Sequence, residues 1–365
     1  MRWRRTLLKW LQPLGSVLLG LGIGLLITAW AGENPWNVFR ILMNCAFGSR
    51  YDLGMTLFYA TPLIFTGLSV AVAFHAGLFN IGAEGQLEVG ALLMAAVGIY
   101  FPNLPFPLAP LVGLLAGMIG GALWGAIPGW LKVKRGSHEV INTIMLNFIS
   151  AGLCSWVTLY VLKNPHSQNP ETARIGASYL IPQFSAFQEA PVSVAIFMAL
   201  GVAFLVWFFL WKTTWGFELR AVGQNELAAR SAGIDVGRMK ILALSIAGGL
   251  AGLVGVSEVL GNLGRFKMGL SPGYGYLGVA VALLGRNSPL GVVFAALLFG
   301  ALHKGSSDLD LETEAITRDF SLILQALVIL SVSAEGVWGR LGKKWKKRLK
   351  RVSDRKSRSH SKVAI

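Results

Sequence analysis

Val192–Trp211 reads VSVAIFMALGVAFLVWFFLW, twenty residues without a charge. The next twenty-nine, KTTWGFELRAVGQNELAARSAGIDVGRMK from Lys212 to Lys240, are polar and charged, and a second apolar run follows. A helix needs about 20 apolar residues to cross the hydrocarbon core of a bilayer, so both flanking runs read as spans. The island between them reads as a folded segment outside the membrane. Asn225 is a good N-cap and Gly233 stands where a left-handed glycine stops a helix. Between them Glu226 and Arg230 have the spacing of an i,i+4 ion pair. Ala228, Ala229 and Ala232 keep that short helix thin enough to enter a groove on a partner. A solvated connector is the alternative reading of the same residues.

Composition agrees with this beginning. Hydrophobic residues make up 54% of the 365, charged residues 14%, and mean hydropathy is +0.57. Soluble domains carry about 25% charged residues, and the apolar runs are continuous rather than alternating, which excludes an outer-membrane barrel. The fold class is therefore all-α and polytopic. The spans read as Leu14–Trp30, Leu53–Phe74, Gln86–Phe101, Leu108–Leu131, Val140–Leu162, Val192–Trp211, Lys240–Leu260, two short ones at Tyr274–Gly285 and Leu290–Leu302, and Ile316–Ala334.

Basic residues in short loops set the orientation. The N-terminal MRWRRTLLK, the loop Lys132–Arg135, the island and the segment after Gly339 are basic, which predicts that they are cytoplasmic. Loops Lys163–Ala190 and His303–Asp319 are poorer in Lys and Arg. The second holds five acids, Asp308, Asp310, Glu312, Glu314 and Asp319. Both are expected outside. Two cytoplasmic termini require an even number of crossings, so the short segments split by Arg286–Pro289 count as two passes and the total is ten. The first span also has signal-peptide character, with Ala29-Trp30-Ala31 as a small-x-small site; its long apolar core favours retention.

Of the net charge of +15, +11 lies after Gly339, where twelve Lys/Arg face Asp354. Beside a membrane span such a tail serves topology and attraction to anionic lipids; no nucleic-acid partner is expected. Cys45 and Cys154 fall in different compartments on this topology, so no disulfide joins them. The five His are scattered and form no metal-ligand pair, so no metal site is expected.

Gly113, Gly117, Gly121 and Gly125, and Ser245, Gly248, Gly249, Gly252 and Gly255, form two small-residue ladders that let helices pack closely. Polar groups at membrane depth are costly and therefore informative. Glu139, Thr143 and Asn147 recur every four residues, with Asn142 and Ser150 beside them. This stripe faces either a polar transport path or hydrogen-bonding partners on other helices. Between two apolar runs, His75–Gln86 contains three glycines with Asn80, Glu84 and Gln86, the pattern of a broken helix lining a cavity. Glu258, Asn262 and Arg265 read as an ordinary wet helix end.

FNIGAEGQ (Phe79–Gln86), HEVINTIMLNFI (His138–Ile149), ELRAVGQNELAARSAGI (Glu218–Ile234) and VALLGRNSPLG (Val281–Gly291) together resemble permease subunits of ATP-binding-cassette importers. The likeness is to the ribose and branched-chain amino acid superfamily, in its nucleoside-uptake branch, and it runs from about Gly54 to Ala334. It implies a transmembrane permease domain at 14–335, between a basic arm at 1–13 and a basic tail at 336–365, with a coupling region at 212–240. Gln224, Asn225, Glu226, Ala228, Ala229, Arg230 and Gly233 would dock on an ABC ATPase. Asn80, Glu84, Gln86, Glu139, Asn142, Thr143 and Asn147 would line the substrate path. A second related permease and an extracytoplasmic substrate-binding lipoprotein are the other implied partners, in the cytoplasmic membrane of a prokaryote.

The chain contains no G-x-x-x-x-G-K-S/T phosphate loop. Gly339-Arg-Leu-Gly342-Lys343-Lys344 has the wrong spacing and no hydroxyl for magnesium. No catalytic residue and no bound cofactor are expected in this chain; ATP and Mg belong to the partner ATPase. The expected function is import of a neutral polar solute, a nucleoside or alternatively a simple sugar, by alternating access. An ion-coupled carrier would instead titrate Glu84, Glu88 or Glu258. A membrane-embedded enzyme would need a catalytic pair at consistent depth, and the sequence offers none.

Overall fold

The computed structural model describes residues 2–307, 309–313 and 320–333, with side chains from Gly15 onward except those at 310, 311, 321, 332 and 333. The basic tail at 336–365, Asp308, Glu314, Asp319 and the side chains of the arm at 1–13 lie outside them. In chain order the helices are α1 (Arg2–Trp30), α2 (Pro35–Phe47), α3 (Arg50–His75), α4 (Ala83–Tyr100), α5 (Leu108–Arg135), α6 (Glu139–Trp156), α7 (Ala195–Lys212), α8 (Thr214–Gln224), α9 (Glu226–Ser231), α10 (Val236–Gly252), α11 (Tyr274–Leu284), α12 (Pro289–Ser307), α13 (Leu309–Glu312) and α14 (Phe320–Ser333). Among the described residues, strand pairing is limited to isolated bridges, two within the loop after α6 and one from that loop to Lys267 before α11.

Among the described residues, six helices are long and apolar enough to cross a bilayer: α3, α5, α6 with its π-helical continuation to Val161, α7, α10 with its π-helical continuation to Leu263, and α12. Shorter apolar helices lie at Gly15–Trp30, Tyr274–Leu284 and Leu322–Ser331. The protein is thus an all-helical, multi-pass membrane protein.

Two helices depart from the sequence-based expectation. α2 was not expected, being thirteen residues long and too short for a span. Its local signal is nevertheless present: Asn34 Oδ1 accepts the Trp36 N–H at 3.0 Å and Pro35 occupies the first turn, where its missing N–H costs nothing. Val38, Leu42 and Ala46 form its buried face. α8 turns the first half of the polar island into helix, capped by the Thr213 hydroxyl on Gly216 N–H at 3.1 Å.

α3 and α10 form the centre of the bundle, 83% and 78% buried over their apolar windows, against 22% for α6 at its edge. α5 and α10 pack through the two small-residue ladders. A Cβ on Gly121 would stand 2.1 Å from the Gly248 carbonyl oxygen, and one on Gly252 would stand 2.2 Å from that of Gly117. Backbone touches backbone along this seam, so dispersion and Cα–H···O contacts replace side-chain interdigitation. Gly255 reaches α4 instead, against Ala91 and Met94. α5 ends at Gly136 in the left-handed conformation (φ 67°), with Lys132, Lys134 and Arg135 in its last turn, where cations meet the negative end of the helix dipole. No disulfide joins Cys45 and Cys154.

Candidate functional site

α3 ends at His75 and α4 begins at Ala83; the seven residues between them are not helical, and their backbone groups need other partners. Side-chain amides supply two of these, to the Gly82 N–H and the Ile81 carbonyl. Asn80 and Gln86, both buried, form a reciprocal amide pair, Asn80 Nδ2 donating to Gln86 Oε1 at 2.8 Å and Gln86 Nε2 to Asn80 Oδ1 at 3.1 Å. Asn80 Oδ1 also accepts the Gly82 N–H at 3.1 Å. Across from them on α6, Asn147 Oδ1 accepts the Gly85 N–H at 2.9 Å, and its Nδ2 donates to the Ile81 carbonyl at 3.0 Å and to the Tyr276 hydroxyl at 3.3 Å. Three amides thus hold the broken helix in place.

The α6 stripe is seated against that break. Thr143, Asn147 and Ser150 are buried, and Gly85 is glycine because an added Cβ would meet Ser150 Oγ at 2.5 Å. Of the two readings left open by the spacing, hydrogen bonding between elements describes Asn147. Thr143 returns its hydroxyl to the Glu139 carbonyl at 2.8 Å. Asn142 lies off the buried line, donating to Ser137 Oγ at 2.6 Å at the start of the helix. Glu139 pairs with Lys132 of α5 at 2.5 Å, a full helical segment away from Asn147. The structure therefore brings Asn80, Glu84, Gln86, Thr143 and Asn147 together and leaves Glu139 and Asn142 apart from them.

The start of α11 completes the cluster. Ser271 Oγ accepts the N–H groups of Gly273 and Tyr274 at 3.1 and 2.9 Å, shaping a turn with Gly273 at φ 93°. Glu84 Oε2 accepts the Gly275 N–H at 2.7 Å, and the two helix starts touch so closely that a Cβ on Gly275 would lie 2.2 Å from Glu84 N. The carboxylate of Glu84 thus sits between two helix N-termini, whose dipoles favour it. α11 has eleven residues, about 16 Å or half of the ~30 Å hydrocarbon core, and it leads into the charged turn at Arg286. The two N-termini consequently meet near the middle of the membrane.

Two neighbouring residues there contact two polar side chains: Gly275 donates to Glu84 and the Tyr276 hydroxyl accepts from Asn147, while buried Glu258 keeps Oε1 without a hydrogen-bond partner. In the sequence, these residues carry no signal beyond the turn-forming Ser271-Pro272-Gly273 before them. Glu258 corrects the reading of a wet helix end. It is 4% exposed on the π-helical stretch Val256–Leu263, which buries Val256 through Gly261. Widened π turns of this kind recur at functional sites. Arg265 pairs with Glu171 of the loop after α6. Tyr276, by contrast, is 50% exposed, with Glu84 and Glu88 half-buried on α4.

The polar island folds into α8 and α9 with a kink at Asn225. Its Oδ1 caps α9 by accepting the Ala228 N–H at 3.1 Å, as expected. Gly233 (φ 83°) closes the other end with Ile234 N–H to Ala229 O and Gly233 N–H to Arg230 O, each at 3.0 Å, the pattern of a Schellman motif. The ion pair is a correction: Glu226 pairs with Lys240 of α10 at 2.5 Å rather than with Arg230. Glu226 opens α9 beside the start of α10, and the apolar cluster of Val222, Ala229, Val236 and Met239 holds the two together. The outer side presents Gln224, Asn225, Glu226, Ala228 and Arg230 to solvent, with Leu227 77% exposed among them.

α8 connects this surface to the break. A Cβ on Gly223 would lie 2.2 Å from the His75 carbonyl and 2.8 Å from Gly77 N. His75 Nε2 in turn lies 3.0 Å from the Asn287 carbonyl, in a turn where Arg286 and Asn287 both have positive φ. Two interruptions of the bundle, α3–α4 and α11–α12, therefore meet at the end of α8. Among the described residues no group of His, Cys, Asp and Glu is arranged to hold a metal ion.

Residues 53–333 match the family described as branched-chain amino acid transport system, permease component. The chain is 37% identical over 339 residues to the guanosine ABC transporter permease protein NupP of Bacillus subtilis, covering 92% of this chain and 97% of NupP. It is 35% identical to the nucleoside ABC transporter permease protein NupB of Lactococcus lactis, covering 90% and 91%. It is 33% identical to the glucose ABC transporter permease protein TsgB13 of Haloferax volcanii, covering 90% and 88%.

Proposed function

The chain belongs to the permease-component family of branched-chain amino acid transport systems, and from that membership we propose that it conducts nucleosides across the cytoplasmic membrane of a prokaryote. It is a transport component; the energy comes from ATP and Mg on a separate ABC ATPase. A second related permease completes the pathway and an extracytoplasmic lipoprotein delivers the solute.

The observation that carries this reading is the half-exposed polar surface where two interrupted helices meet: Tyr276, Glu84 and Glu88 beside Asn147. Charged and hydrogen-bonding groups at mid-depth are expensive against lipid, so this face belongs against a second permease, with the solute path between them. Tyr276 offers an aromatic face for a nucleobase, and the carboxylates and hydroxyl offer acceptors for base and ribose donors. NupP and NupB are named for guanosine and nucleosides. TsgB13, named for glucose, supports the sugar alternative, which the same hydroxyl and carboxylate groups would also serve.

Alternating access needs a lever on this surface. α9 presents Leu227 and a small, polar face to the cytoplasm, suited to a groove on the ATPase. Motion of α9 passes through Gly223 to the α3–α4 break and through His75 to the α11–α12 turn. The first of these contacts is backbone to backbone and the second is the His75 imidazole on the Asn287 carbonyl.

The test is ATP-dependent uptake in proteoliposomes holding the chain with its co-purified ATPase, partner permease and lipoprotein. Labelled guanosine, uridine and glucose are compared. Uptake of nucleosides over glucose, lost in Leu227→Asp while the variant inserts and purifies normally, is the expected result. Glucose uptake alone would replace the substrate assignment, and unchanged uptake in Leu227→Asp would remove α9 from coupling.

A further inference from the structure

Outside the path, a groove of about 500 Å³ opens between the last turn of α5 and the first turns of α10. Its floor is Val133, Ile241 and Leu242, with Ser245 at the far end. The Ser245 hydroxyl is already given to the Ile241 carbonyl at 2.9 Å, so the floor presents apolar surface. Lys134 and Arg238 stand at the mouth, both exposed. Asp235, the acid among the lining residues, is the N-cap of α10: its Oδ1 accepts the Arg238 N–H at 3.0 Å, and the positive helix end offsets its charge. Lys132, two residues back, is engaged by Glu139, which leaves Lys134 and Arg238 as the cations lining the groove.

We infer that this groove binds one anionic phospholipid, its phosphate between Lys134 and Arg238 and an acyl chain along Val133, Ile241 and Leu242. The charge matches a monoanionic headgroup. Gly237 to Ser245 rises about 12 Å along α10, room for the upper part of an acyl chain lying along the helix. The apolar floor continues into the membrane-crossing part of both helices, which a soluble anion would not require. Basic pockets between helices at the membrane boundary are the known form of such sites. The consequence is local: α10 begins beside α9 and holds Glu226 through Lys240, so the lipid braces the base of the α9 segment against α5.

The experiment is native mass spectrometry of the purified full chain, delipidated and titrated with phosphatidylglycerol or phosphatidylcholine. Three variants accompany it: Lys134→Ala/Arg238→Ala, Leu242→Trp to fill the floor, and a tail variant with Lys346, Lys347, Lys350 and Arg351 changed to Gln. The wild type should retain one phosphatidylglycerol in preference to phosphatidylcholine, and inorganic phosphate should not displace it. Removing both mouth cations should weaken retention up to about thirtyfold, from roughly fivefold per cation. Leu242→Trp should weaken it while the charges stay, and the tail variant should keep it. Equal retention of the two lipids, loss only in the tail variant, or retention unchanged in both groove variants would overturn the site. Thermal unfolding of each variant separates lost binding from lost fold.

Discussion

Replacing Asn147 by Leu tests whether one side chain holds the α3–α4 break. Leucine keeps the volume and removes three hydrogen bonds, those to Gly85 N–H, Ile81 C=O and the Tyr276 hydroxyl. The hydroxyl belongs to a half-exposed side chain and can turn to solvent, so its loss counts for little. The two backbone groups lie in the interior, where an unsatisfied donor or acceptor costs about 1–3 kcal/mol each. Hydrogen bonds between membrane helices average only about 0.6 kcal/mol, because the unfolded chain in the bilayer also finds partners. A broken helix has fewer such substitutes, which places the expected loss at about 2–3 kcal/mol. Asn142→Leu, which loses a single bond to Ser137, should cost about 1 kcal/mol or less. The assay is thermal unfolding of the purified chain in mild detergent, followed by tryptophan fluorescence, with uptake measured in parallel. Asn147→Leu should unfold several degrees lower and transport poorly, and Asn142→Leu should do neither. If Asn147→Leu unfolds with the wild type and transports at full rate, the break is held by something other than these bonds.

Two further outcomes follow from the packing and the outer loop. Gly121→Ala places a methyl 2.1 Å from the Gly248 carbonyl oxygen and must part α5 from α10 by about 1 Å. Overpacking of this kind costs about 1–3 kcal/mol, whereas Gly201→Ala in α7, with nothing within 4 Å, should be neutral or stabilise by up to about 1 kcal/mol; unfolding temperatures that fail to separate the two variants would refute the seam. In the loop after α6, the Ser167 hydroxyl and then Arg265 hold the Glu171 carboxyl below its ordinary 4.5. A depressed carboxylate contributes stability above its unfolded value and loses it as pH falls through the folded one. The protection factors of the loop amides, each taken against the intrinsic exchange rate at that pH, should therefore stay high at pH 7 and fall as acid protonates Glu171, with Glu171→Gln low at both; equal protection in wild type and variant would dismiss the pair as a tether.

Much of the bundle was legible from composition and run length. Continuous apolar stretches predict helices, small-residue ladders predict a close seam, and Asn225 with Gly233 bounds α9, since each of these depends on residues adjacent in the chain. α2 escaped because a thirteen-residue helix resembles a loop when spans are sought by length. The Glu226–Arg230 pair failed because helical spacing reports which residues could meet, while Lys240, fourteen positions on in the chain, reached Glu226 first.

The candidate site was half visible. Asn80, Glu84, Gln86 and Asn147 stood out because polar groups within apolar runs are costly, and the cost is a property of the residue and its neighbours in sequence. Their partners did not stand out. Gly275 and Tyr276 sit in an unremarkable aromatic turn, and Glu258 resembles the wet end of a helix. They become a site only when a π-helical stretch buries Glu258 and two helix starts are brought into backbone contact. The sequence alone determined that this chain is a multi-pass helical membrane protein with costly polar groups and a capped cytoplasmic-type helix, because bilayer thickness and local capping act on contiguous residues. Tertiary structure alone decided which amide holds the break, which acid lies between two helix dipoles and which face of Tyr276 stays open, because those depend on atoms 60 to 190 residues apart meeting within 3 Å.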